Sequence, residues 1–396
     1  MTARTIAIIG GGPAGARTAE KLAQGWGLRP GHRVLVFEEK AGWEKPCGGG
    51  LSRKALERYP FLGDAAGGGK LVRDVEFVAS TGTAMRFRLR SPLAIYARAT
   101  LNHLLLRRAE AAGAEVVSDR ILGLWRGTAG WELAGRTRSY RADLVVLAGG
   151  ARTRLRRLLA EDFGPRDFML TFGYYVPLER ELLRVQFYEG FEGYAWAFPR
   201  PDHLSVGICG KVGEDHMAGL RDRLHAFMRK FGYDAGGARV YSHLLPALSV
   251  ESWGDLRLAG QGWALVGDAA GLVDPVTGEG IYYALRSGDI LAEALREEQL
   301  ELYPERVWME FGKALALGAR LAGMFYYGEF LGGSVPTRMV EFGARSRKFL
   351  EVVQDLVEGS QSYLGLTARL YLGLTRTLLG TGAGLLRETL ERPHTT

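Results

Sequence analysis

Three glycines near the start of the chain stand at a spacing that suits a nucleotide. Gly10-Gly11-Gly12-Pro13-Ala14-Gly15 follows an apolar run at residues 5–10 and opens a stretch of helical composition, the context that gives a G-x-G-x-x-G pattern its meaning. Gly10 permits the tight turn, Gly12 lets the backbone approach a pyrophosphate, and Gly15 lets helix and strand pack closely. The helix start turns unpaired N–H groups toward the phosphates. Gly10, Gly12, Ala14 and Gly15 are therefore the first candidate cofactor contacts. Glu38 ends a second apolar run, where an acid accepts both hydroxyls of an unphosphorylated ribose. The plainer alternative is a glycine-rich turn with no ligand.

Taken alone, this unit suits NAD as well as FAD. The discriminating segment is far downstream, GWALVGDAAGLVDPVTGEGIYYAL at residues 262–285. Asp268 is expected to end a buried strand there, its carboxylate accepting from a ribityl hydroxyl. Pro275, Gly278 and Gly280 form a bend into a helix beginning near Ile281. The positive end of that helix would face negative charge on the flavin's N1–C2=O edge. Two phosphate-type loops so far apart in the chain fit one long dinucleotide, FAD.

Two further groups stand out. Cys47 lies in KPCGGGL at residues 45–51, where three consecutive glycines leave nothing to pack around a thiol. Free cysteines are usually buried and inert, so a ligand-facing role is the sharper of two readings. Tyr194, Trp196 and Phe198 alternate just before Pro199 and share one face of a strand. Three aromatics on a face are either core or the wall of a cavity for an apolar substrate.

The elements that must position these residues follow from periodicity. Strand, helix and strand open the chain. Residues 45–50 form a loop, and Ser52 caps a short helix. Residues 71–90 alternate as antiparallel strands, residues 97–112 are helical, and residues 143–148 form a buried strand. Strands dominate from about 165 to 250, interrupted by one helix near 215–231. Residues 263–268 return to the buried-strand type, and helix dominates thereafter. The fold class is α/β: a Rossmann-type FAD-binding domain assembled from residues 1–70, 95–160 and 255–300. An antiparallel β-sheet substrate domain (71–94 and 161–254) is inserted into it, and a helical C-terminal region (301–396) follows.

Composition narrows the partners. The net charge of +7 suits phosphates or anionic headgroups, or reflects only a solvated arginine-rich surface. Two cysteines make no disulfide framework and favour a reducing compartment. No signal peptide is expected ahead of the first strand, and no apolar run is long enough to span a membrane. A cytoplasmic protein, soluble or peripheral to the inner face of a membrane, is the expectation. The leucine-rich stretch at 363–390, with Arg369, Arg376 and Arg387, suits either a membrane interface or an ordinary helical pair. No spacing of histidines suits a metal. RTRLRR at 152–157 is read as a solvated helix rather than a nucleic-acid contact.

These residues resemble the flavoprotein monooxygenases and reductases built like para-hydroxybenzoate hydroxylase, and within them the geranylgeranyl reductases. The likeness rests on both FAD segments, on the Cys47-Gly48-Gly49 loop, and on Tyr194-x-Trp196-x-Phe198-Pro199. It implies that Cys47 and Gly48 lie beside the isoalloxazine, that Arg98 at a helix start contacts FAD, and that Tyr194, Trp196, Phe198 and Pro199 bind lipid. One departure is Ala148-Gly149-Gly150, where the wider fold carries Ala-Asp-Gly. The missing carboxylate leaves the electron donor open between NADPH and a ferredoxin-type carrier.

The resemblance implies an FAD-dependent reductase that saturates carbon–carbon double bonds of a polyprenyl lipid or prenyl diphosphate, with Cys47 on the proton side. Two alternatives stand beside it. A flavin hydroxylase or halogenase would need a catalytic lysine, for which Lys70 is the one loosely placed candidate. A flavin-bearing lipid-binding or electron-relay protein would bind prenyl lipid without turning it over.

Overall fold

The computed structural model describes residues 4–26, 32–64, 67–213 and 217–366. Its first strand, Thr5–Ile9, is apolar enough to be buried on both faces and lies between Leu144–Leu147 and Arg33–Phe37, parallel to both. Trp263–Leu265 and Glu115–Val117 extend this parallel sheet at either side, and Ala259–Gly260 closes one edge antiparallel. Helix Pro13–Trp26 packs on one face between Arg98–Ala111 and Ile281–Arg296. A small three-stranded sheet, Ile121–Gly127, Gly130–Gly135 and Ser139–Ala142, lies against the other. It is absent from the periodicity reading, because its strands are short and half-exposed.

A second, eight-stranded sheet runs Arg239–Pro246, Phe168–Val176, Leu204–Lys211, Gly193–Pro199, Leu183–Phe187, Lys70–Val78, Ala84–Ile95, Gly50–Leu51. Every pairing is antiparallel except that of Leu183–Phe187 with Lys70–Val78. Helix Met217–Phe231 covers one face, where Leu220, Leu224 and Phe227 meet Ala195 and Ala197. Helices Lys313–Tyr327, Val335–Arg345 and Arg347–Glu358 approach the other. Fully buried Glu358 accepts the backbone N–H of Arg90 at 2.8 Å, tying the last of these helices to the sheet.

Two local expectations need correcting. Asp268 does not end a strand. The strand stops at Leu265, and Asp268 sits in a tight 3₁₀ turn, Gly267–Ala270. Gly267 there has a left-handed φ of 57°, which ends the extended run. Ser52 does precede helix Arg53–Arg58, but its hydroxyl donates to Glu279 at 2.6 Å instead of capping the helix. The segment at 363–390, with its three arginines, lies beyond the described residues from 367 onward.

Candidate active site

The turn after the first strand is shaped by close approaches. Gly10 has φ 110°, and a Cβ there would meet the Ala148 carbonyl oxygen at 2.4 Å. A Cβ on Gly15 would lie 1.9 Å from the Gly10 oxygen, so this glycine serves helix–strand packing. Gly12 differs: a Cβ there meets no atom of the chain within 4 Å and projects into open space. That space is one end of a continuous cavity of about 1670 Å³. Single-ligand sites occupy roughly 300–1,000 Å³, so this one has room for two partners.

The cavity gathers most of the residues singled out by sequence. Gly10, Gly12, Ala14, Glu38, Cys47, Gly48 and Arg98 line it. So do Asp268, Gly278, Gly280 and Ile281, and the aromatic trio Tyr194, Trp196 and Phe198. Three do not. Gly15 packs beneath the turn, Pro275 lies toward Gly318 of helix Lys313–Tyr327, and Pro199 is buried at the strand end opposite Leu204. Pro199 thus finishes the aromatic strand without forming its wall. Lys70 also lies away from the cavity, ion-paired with Glu181 at 2.7 Å.

Charge is concentrated at the nucleotide end. Glu38 accepts the backbone N–H groups of Gly11 (2.9 Å) and Lys40 (2.8 Å), which fixes its carboxylate at the strand terminus. Asp268 pairs with Lys45 at 2.5 Å. Burial opposes ionisation of Asp268, but the Lys45 ammonium outweighs it and holds the carboxyl below its ordinary range. His243, also lining this end, is pushed down to about 3 by burial and then by Lys45, so its imidazole is neutral. Sequence reasoning missed both Lys45 and His243. Lys45 sits in a motif read for its cysteine, and nothing local marks His243.

The buried Nε of Arg98 and Nε2 of His243 have no partner among the described residues, and buried polar groups seldom stay so. With the open cradle at Gly12 and the N-terminus of helix Ile281–Arg296 at the cavity wall, they fit a polar dinucleotide such as FAD. Where the wider fold carries a carboxylate, Gly149 and Gly150 line the cavity beside Arg152.

The far arm of the cavity is apolar. Phe77, Val185 and Phe187 of the large sheet face Phe325, Met339 and Val353 of the C-terminal helices. The aromatic strand joins the two ends. Its alanines point to helix Met217–Phe231, and Tyr194, Trp196 and Phe198 point to the cavity. Cys47 stands at the junction, half-buried, its Sγ accepting the Gly49 N–H at 3.3 Å. The other thiol, Cys209, is buried and pushed up to about 12 by desolvation.

Residues 81–294 match the FAD dependent oxidoreductase family. A digeranylgeranylglycerophospholipid reductase of Methanosphaerula palustris is 30% identical over 325 residues, covering 74% of this chain and 76% of the relative. A chloroplastic geranylgeranyl diphosphate reductase of Oryza sativa subsp. japonica is 29% identical over 324 residues. That match covers 73% of this chain and 66% of the plant protein, so the chain spans about two-thirds of that relative's length. Among solved structures, a geranylgeranyl bacteriochlorophyll reductase-like protein from Thermoplasma acidophilum superposes with a TM-score of 0.73 at 20% identity, covering 93% of this chain and 99% of that one. The last likeness speaks for the fold alone.

Proposed function

The chain belongs to the FAD dependent oxidoreductase family, and from that premise we propose that it reduces carbon–carbon double bonds of a polyprenyl group. The observation that carries this reading is one cavity with a charged nucleotide end and an apolar arm, joined at Cys47 and the aromatic strand. The names of the relatives from Methanosphaerula and Oryza support it. FAD, once bound and reduced, supplies a hydride. Gly10, Gly12 and Ala14 would bind its pyrophosphate half, with Gly15 packing the helix beneath them, and Glu38 would take the adenosine ribose. Arg98, Asp268, Gly278, Gly280 and Ile281 would hold the flavin half, with Pro275 shaping the bend behind them and Cys47 and Gly48 placed to face the ring.

Tyr194, Trp196 and Phe198 orient the alkene, with Pro199 ending the strand that carries them. An unactivated double bond depends on such positioning for much of its acceleration. As one alkene carbon accepts hydride, the Cys47 Sγ–H, or a water it holds, gives a proton to the other. The alkene gains two electrons and two hydrogens, and solvent restores the proton to Cys47. NADPH or a ferredoxin-type carrier returns the electrons. Polar residues at one end and apolar ones at the other support a division into an FAD-binding and a substrate-binding domain.

Among the described residues no helix is long and apolar enough to cross a membrane. We place the protein in the cytoplasm, touching the inner membrane face peripherally, because a +7 chain that handles prenyl lipid gains from anionic headgroups. Such attachment weakens with salt; vesicles that fail to sediment the protein even at low ionic strength would refute it. The catalytic reading is tested by mass spectrometry of geranylgeranyl diphosphate and prenyl-ether lipids incubated anaerobically with the reduced holoprotein. A gain of two hydrogens per saturated bond is expected. Unchanged lipid, or lipid carrying oxygen or halogen after exposure to air, would overturn it.

A further inference from the structure

Arg200, the residue after Pro199, is completely buried. One terminal nitrogen of its guanidinium donates to Glu44 at 2.6 Å, and the other donates to the backbone carbonyl of Cys47 at 2.7 Å. Ser205 Oγ, on the neighbouring strand, donates to the same carbonyl at 3.0 Å. Glu44 reaches further still. Its two oxygens accept the backbone N–H groups of Arg98 and Ala99, both at 2.8 Å, which caps a helix whose own N-cap residue, Ala97, has no side-chain acceptor. The loop is also pressed from the strand side: a Cβ on Gly48 would lie 2.8 Å from the Phe198 ring. One ion pair therefore joins the cysteine loop, the start of the Arg98 helix and the end of the aromatic strand.

A buried ion pair is an expensive way to fill a core, and apolar residues of similar volume often do as well or better. Here the expense is higher, because Nε of Arg200 has no partner among the described residues. What an apolar replacement cannot do is hold a backbone carbonyl and a carboxylate at once in a fixed fork. We propose that Arg200 and Glu44 are positioning residues that hold the Cys47 thiol at the junction between cofactor and substrate. They couple its place to that of Arg98 and the aromatic wall. The inference deepens the reductase reading, in which Cys47 serves the proton side, but its test needs no prenyl turnover.

The chain has two cysteines, so iodoacetamide labelling of the flavin-loaded protein, resolved by peptide mass, reports each thiol separately. Cys209, buried in the wall of the same cavity, reports loosening of that wall, and circular dichroism reports global unfolding. Arg200→Met should raise the labelling rate of Cys47 by about tenfold, the order expected when a hydrogen bond to a charged group no longer closes a loop. Cys209 should stay protected. Arg200→Lys should fall between, since one ammonium cannot reproduce the fork. The double variant Arg200→Met/Glu44→Gln relieves the stranded Glu44 charge and should melt higher than Arg200→Met, yet label Cys47 as fast. That separation of stability from thiol exposure is what a merely structural role would not produce. Wild-type labelling of Cys47 in the double variant would overturn the proposal. If Arg200→Met loses the circular dichroism of the folded chain, the double variant and Arg200→Lys decide.

Discussion

The two ends of the cavity are built in different ways. At the nucleotide end, the chain offers turns and fixed charges: Gly10, Gly12 and Gly15 around a tight turn, Glu38 on backbone N–H groups, Asp268 on Lys45. In the apolar arm it offers side chains from well-separated elements, such as Phe77, Phe187 and Phe325. An end made of backbone tolerates almost no added atom, whereas a wall of interdigitated side chains repacks at moderate cost. Substitutions at the glycines of the first end should therefore act as all-or-none losses, and those of the side-chain walls should tune.

The largest effect is expected at Gly12. Its Cβ would meet nothing in the chain, so Gly12→Val should fold normally yet purify without flavin, read as absorbance per protein. A yellow Gly12→Val protein would erase the contrast between the ends. At the junction, Cys47→Ala should slow lipid reduction by about 10²–10⁴-fold, the usual cost of losing a general acid, and leave reduction of the flavin near wild type. Cys47→Ser should fall between the two. Rapid-mixing measurement of each half-reaction separates these outcomes from simple loss of FAD.

On the aromatic strand between the two ends, Trp196→Ala should retain flavin and shift which double bonds are saturated, seen in the product mass pattern. Deleting a buried aromatic costs about 3–5 kcal/mol, so a variant that only unfolds would assign Trp196 to the core. The smallest effect concerns acid. His243 titrates near 3 in the folded chain against an ordinary 6.5, so over that window the unfolded chain binds the extra proton. Stability is then lost as pH falls from 6.5 toward 3. Asp268, its value depressed, adds a loss of the same sign as pH falls through that value. His243→Gln should flatten this part of the denaturation profile. An unchanged profile would place His243 in solvent.

The nucleotide end was legible because its demands are local. Gly15 is glycine because the Gly10 oxygen lies five residues before it. Gly10 carries the positive φ of the turn itself, although Ala148 also presses on it, and the parallel strands read as continuous apolar runs. The aromatic trio was legible as one face of a strand, but core and cavity wall share that pattern; only helix Met217–Phe231 on the opposite face separates them. Arg200 and Lys45 were invisible, since an arginine after a proline or a lysine in a loop is ordinarily solvated, and their burial depends on partners far away in sequence. Periodicity extends the strand to Asp268 because a left-handed Gly267 does not interrupt an apolar pattern.

The most direct measurement is anaerobic single-turnover mixing of the reduced, flavin-loaded protein with a geranylgeranyl lipid. If the two ends of the cavity serve one reaction, the flavin reoxidises without oxygen, at a rate that rises with lipid concentration, and the lipid gains two hydrogens. A flavin that stays reduced until air is admitted, with the lipid recovered unchanged, would contradict it.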